Sequence, residues 1–118
     1  MAATPRIEVR VENDARVISF KDRLVFDERT VREAFEQISE ALPSDGSPIR
    51  LILDFNGVEL ISSTLLGKLV LLQRRVDGSG GKMRLCEMGG NVYSVCKTSN
   101  LDRLFAIDRD VRAALEHV

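Results

Sequence analysis

Ser62, Ser63 and Thr64 stand in a row where a polar stretch gives way to helically spaced leucines. Hydroxyls at a helix start have a common use: each can accept a hydrogen bond from the free N–H groups of the first turn. One capping residue accounts for one hydroxyl, so three exceed what a cap requires. Asp54 and Asn56 lie just upstream, at the end of an apolar run. They border the segment, where they either order its loop or contact a partner.

No other residues assemble a catalytic set. His117, the only histidine, is the penultimate residue, a poor place for an ordered general base. Cys86 and Cys96 are ten positions apart and lack a second histidine, so no zinc ligand set of familiar spacing exists. Both read as small core hydrophobes. No Ser, Cys or Lys has surroundings that would activate it as a nucleophile. Gly78-Ser79-Gly80-Gly81 follows a helical pattern and precedes a strand, the reverse of a phosphate-cradling loop, and reads as a flexible connection. Lys68, Arg74 and Arg75 read as a solvated helix face, with a basic patch for an acidic partner as the alternative. The residues imply no metal, no cofactor and a non-enzymatic protein.

Composition narrows the class further. A chain of 118 residues supports one domain, spanning 1–118, with enough length to bury a core without staples. Seventeen Lys+Arg against 18 Asp+Glu leave a net charge of −1, which argues against nucleic-acid binding by phosphate neutralisation. No apolar run approaches the ~20 residues of a membrane span, so no membrane insertion is expected. Residues 1–5 lack a signal peptide's charged and apolar regions. Two cysteines make no disulfide framework, so the cytoplasm is the expected compartment.

The elements that must position the hydroxyls can be read from periodicity. Ile7, Val9 and Val11 alternate with charges, as in a strand with one wet face, and Asn13-Asp14-Ala15 turns the chain into a hairpin partner at 17–20. A loop with Leu24, Val25 and Phe26 leads to helical spacing at Val31, Ala34, Phe35, Ile38 and Leu42, with Thr30 and Glu33 as a capping box. Leu51-Ile52-Leu53 is apolar on successive positions, the mark of a central strand covered on both sides. Leu65, Leu69, Leu72 and Val76 then keep helical spacing, with Leu66, Val70 and Leu71 widening the stripe, and Met83–Cys86 is the next strand. Strand, helix and strand make a parallel βαβ unit. A helix from about 91 to 96, a short strand over 104–107 and a C-terminal helix capped by Asp108 or Asp110 complete the order ββαβαβαβα. The expected fold is α/β: a mixed, mostly parallel sheet of about four or five strands with an N-terminal hairpin, packed against about four helices.

The run Asp54-Phe55-Asn56-Gly57-Val58-Glu59-Leu60-Ile61-Ser62-Ser63-Thr64-Leu65-Leu66-Gly67, with Leu69 and Leu72 behind it, resembles the signature of STAS domains, the anti-sigma factor antagonist family. Gly80-Gly81-Lys82-Met83-Arg84-Leu85 resembles that family's glycine turn into the next strand. Asn100-Leu101-Asp102-Arg103-Leu104-Phe105 sits where members carry Leu-x-x-Leu-Phe. Ser62 replaces the family's Asp, Leu65 replaces its Gly, and a third hydroxyl is added. The resemblance implies a protein whose unphosphorylated form binds an anti-sigma factor that is also a serine kinase, thereby freeing a sigma factor. Aligned on Gly67, the phosphorylated residue falls on Ser63, with Ser62 and Thr64 as alternatives. The implied partner surface comprises Asp54, Asn56, Ser62, Ser63, Thr64, Leu66 and Lys68. The alternative is a STAS module without the switch, as a small subunit of an ABC-type transport system or a signalling scaffold. Oligomeric state stays open, a homodimer included.

Overall fold

The computed structural model describes residues 4–118, so the leader reading rests partly on Met1, Ala2 and Ala3, which lie outside the described residues. Asn13 and Asp14 both take left-handed backbone angles, φ 50° and 65°, and close a two-residue hairpin turn of the hand that twisted strands favour. The turn joins β1 (Ile7–Glu12) to β2 (Ala15–Phe20) antiparallel, with Glu12 opposite Ala15. There follow β3 (Leu24–Val25), α1 (Glu28–Ala41), β4 (Arg50–Asp54), β5 (Leu60–Ile61), α2 (Ser63–Gly78), β6 (Lys82–Cys86), α3 (Gly90–Thr98), a 3-10 turn (Leu101–Arg103), β7 (Ala106–Asp108) and α4 (Val111–Leu115). The main sheet has the order β1-β2-β4-β6-β7, and every pairing in it except β1–β2 is parallel. The expected α/β fold, including the parallel β4–α2–β6 unit, is the fold observed.

Burial explains why β4 is apolar at successive positions. Leu51 and Leu53 point to the layer formed by α1, α2 and α3, together with Ile18, Phe20 and Leu85. Ile52 points the other way, onto Val17, Cys86 and Ala114, a second core closed by α4. Period-two side chains therefore serve two cores from one strand. Cys86 and Cys96 are both buried and free. Burial, with the Asp54 charge adding to it, pushes the Cys86 thiol up to about 12.

Several expectations need correction. Val9 and Val11 are 45% and 65% exposed, because the helical layer does not reach over the outer part of edge strand β1. Leu71 is likewise exposed rather than part of the α2 stripe. The loop at 24–26 contains β3, which pairs in parallel with β5 in a small second sheet. The final strand begins at Ala106, after Leu104 and Phe105 have joined the preceding turn, and Asp110 rather than Asp108 caps α4. Asp108 instead holds Arg84, at 2.6 Å from its Nε. The segment 78–81 is a bonded turn: the Ser79 hydroxyl accepts from the Ile49 and Gly81 N–H groups and donates to the Val76 carbonyl.

The start of α1 departs from the expected capping box. Asp27 is the N-cap, its carboxylate accepting from the Thr30 N–H at 3.0 Å. Glu33 is drawn instead to the Arg6 guanidinium, 3.0 and 3.1 Å away. That hydrogen bond holds the Glu33 carboxyl below its ordinary range, and the Thr30 N–H does the same for Asp27. Because both values are lower in the folded state than in the unfolded chain (about 4), their stabilisation is complete above pH ~5 and is lost as pH falls through the folded values. The thermal midpoint is expected to hold steady from pH 8 to about 5.5 and to fall below ~4.5. Glu33→Gln should begin lower and lose less on acidification; a midpoint that rises on acidification would refute the assignment.

Candidate functional site

The hydroxyl segment begins where the central strand ends. Asp54, buried at the end of β4, accepts the Asn56 N–H at 2.9 Å through Oδ1, while Oδ2 accepts the Ser19 hydroxyl at 3.2 Å. Phe55 is fully buried with its ring 5.1 Å from that of Phe20, so the chain leaves the sheet from a fixed point. Phe55 to Val58 is a tight turn closed by the Val58 N–H on the Phe55 carbonyl. Gly57, at φ +86°, supplies the left-handed residue such a turn requires. The Glu59 N–H then donates to the Arg23 carbonyl, the two side chains form an ion pair, and β5 lies beside β3.

Ser62 is the N-cap of α2. Its backbone is extended, and its hydroxyl accepts from the Leu65 N–H at 3.1 Å. That leaves Ser63 and Thr64 as the first two residues of the helix, both exposed and free of side-chain hydrogen bonds among the described residues. Of the three hydroxyls it is therefore Ser62, and not Ser63, that has the extended geometry a cap needs. No acidic residue occupies the first turn of α2 itself.

Besides Ser62 and Ser63, the expected site residues separate into three groups. Asp54 and Asn56 bind each other as a loop brace. Thr64 and Lys68 line a shallow cleft of about 410 Å³ with Glu28, Val31 and Arg32 at the start of α1. Leu66 belongs to neither; at 4% exposure it is packed in the core, because the α2 stripe is wide enough to meet both sheet and α1. Its place on a partner surface is withdrawn.

Sequence reasoning missed two contributors. Glu28 and Arg32 reach the site only because α1 and α2 start side by side. Leu24, Phe26 and Leu60 form an exposed apolar trio. Leu24 and Leu60 are register partners, and Phe26 follows just after β3. Ser62 follows Leu60 by two residues, so the trio adjoins the hydroxyl segment. Three large apolar side chains beside a polar helix start are the composition of a docking surface. No signal short of the β3–β5 pairing could have joined residues 36 positions apart. No helix among the described residues is long and apolar enough to cross a membrane.

No curated protein matches the chain in sequence. Solved structures are similar to it. An anti-sigma-factor antagonist (STAS) domain protein from Planctomyces limnophilus is 23% identical, covers 93% of this chain and 95% of its own, and superposes with a TM-score of 0.82. An anti-sigma factor antagonist from Mycobacterium paratuberculosis gives 20%, 95% and 92%, and 0.81. Part of a murine anion transporter, Solute Carrier 26 family member A9, also shares the fold: 16% identity, 86% of this chain against 17% of that one, TM-score 0.74. The model of the STAS domain family matches residues 6–114. With that match spanning nearly all of the sheet and its helices, the chain belongs to the STAS domain family.

Proposed function

We propose that this protein is an anti-sigma factor antagonist switched by phosphorylation. In its unmodified form it docks on an anti-sigma factor that is also a serine kinase. Phosphate on Ser63, with Thr64 and Ser62 as alternatives, ends the complex and so regulates transcription in a bacterial cytoplasm. One observation carries the reading: Ser63 is an exposed hydroxyl on a helix start whose capping duty is already met by Ser62. The exposed Leu24, Phe26 and Leu60 side chains support a docked protein, and we assign it polar contacts with Thr64 and Lys68, which share a cleft, and with Asn56 on the turn before them. Asp54 contributes by bracing the turn.

The chemistry belongs to the partner. A phosphoserine adds about −1.5 to −2 charges near neutral pH. Free N–H groups and the helix dipole stabilise that charge, so the fold tolerates it. A partner lying over the turn would have to desolvate it and would repel it with any acid of its own. Likeness to a transporter's domain supports a second reading, in which the module serves a transport system or scaffold without phosphate. Pull-down from the source cell with mapping of phosphorylated residues tests both. A kinase-like ATPase partner with phosphate on Ser63 is the expected result; a transport ATPase and an unmodified segment 62–64 would replace it with the second reading.

A further inference from the structure

Strand β1 is an edge whose sequence is complementary to itself. Reading outward from Val9, Glu8 matches Arg10, Ile7 matches Val11 and Arg6 matches Glu12. The hairpin fixes which backbone groups are free. Glu12 and Ala15 flank the two-residue turn, and the Lys21 N–H donates to the Arg6 carbonyl, so even-numbered residues of β1 bond toward β2. Ile7, Val9 and Val11 therefore turn their N–H and C=O groups outward, where β1 has no neighbour in the sheet. Their side chains share one face, and Val9 and Val11 stand exposed on it.

We propose that β1 pairs antiparallel with β1 of a second copy, with Val9 on the two-fold axis, so that two five-stranded sheets become one. The axis at Val9 sets outward-bonding residues opposite each other, Val9 to Val9 and Ile7 to Val11, giving about six inter-chain hydrogen bonds. The same register places Glu8 against Arg10 of the partner copy twice, at the closer non-hydrogen-bonded positions, where opposite charges stabilise the pairing. Shifting the register by one pair in either direction sets Arg10 against Arg10 or Glu8 against Glu8. A protected edge would carry like charges to repel a neighbour; here acid and base alternate in the order that attracts a copy. Arg10 can re-pair, since its side chain is nearly half exposed and its present contacts are loose: Glu12 at 3.3 Å, the Ser19 hydroxyl at 3.5 Å and buried Asp54 at 4.0 Å. Arg6 is held by Glu33 and Asp22, so the outer Arg6–Glu12 match adds little and the Glu8–Arg10 pairs set the register. Six residues of edge bury less than a standard interface, so association in the micromolar range is expected.

Sedimentation at concentrations up to about 100 µM tests the pairing, with circular dichroism to verify that each variant is folded. The wild type should dimerise, Glu8→Arg should weaken association at least tenfold, and the exchange Glu8→Arg/Arg10→Glu should restore it. A wild type that stays monomeric overturns the proposal. So does a dimer indifferent to Glu8→Arg, or one that the double exchange fails to restore.

Discussion

Alanine at position 81 will destabilise the domain by roughly 3 kcal/mol or more, lowering its thermal midpoint by about 10–20 °C. A Cβ at Gly81 would lie 1.8 Å from the Ile49 carbonyl oxygen and 2.5 Å from the Ile49 nitrogen, both backbone atoms that cannot rotate aside. The crowding has a purpose. Ile49 donates to the Ser79 hydroxyl and accepts from the Lys82 N–H at 2.8 Å, so the start of β4 is bonded to the end of α2 and the start of β6 at one point. Adjacent Gly80 is the control. It sits at φ +78° with open space around it, so alanine there costs only the left-handed strain of about 1 kcal/mol. Denaturation of the two variants side by side decides the matter; equal stability would remove close approach as the reason for Gly81.

Aspartate at position 63 will weaken binding of the captured partner by about 5–150-fold, a coupling of ~1–3 kcal/mol, while Ser63→Ala will bind as the wild type does. The exposed side chain makes no hydrogen bond that alanine would lose, and an acid in the first helical turn favours the helix. Both variants should therefore melt near the wild type, which separates a lost contact from a lost fold. Ser62→Ala should behave in the opposite sense, costing about 1 kcal/mol of stability through the lost cap. Equal partner affinity for the wild type and Ser63→Asp, measured by calorimetry, would end the proposed switch.

The parts of the fold legible beforehand are those whose signal is local. Successive apolar residues at 51–53 identify a strand covered on both faces, and the helical spacing from Leu65 to Val76 needs no distant partner to be recognised. β3 and β5 carried no such signal, since two residues become a strand only when paired. Val9 and Val11 presented an apolar face, yet whether a helix reaches that face depends on where α1 packs. Glu33 could have capped its own helix; a guanidinium 27 residues away in the chain won the contest. At the site, the three hydroxyls were plain, but backbone angles chose among them, with Ser62 extended and the next two helical. Leu66 and Leu71 both widened the apolar stripe in the sequence, and only packing buries the first and exposes the second.

Strand order across the main sheet is also strand order along the chain: each of β2, β4, β6 and β7 adds to the side opposite β1. A ribosome therefore delivers the sheet one strand at a time, each meeting a partner that has already emerged. The hairpin can close on its own as soon as Phe20 is out. The next strand ends at Asp54, about 34 residues and roughly 2–7 s of synthesis later. Throughout that interval Val17 and Ile18, destined for full burial, face solvent on the growing margin of a two-stranded ribbon. Such ribbons are marginal in water, so the nascent chain is most exposed to misassociation before β4 appears and progressively less so with every strand after it.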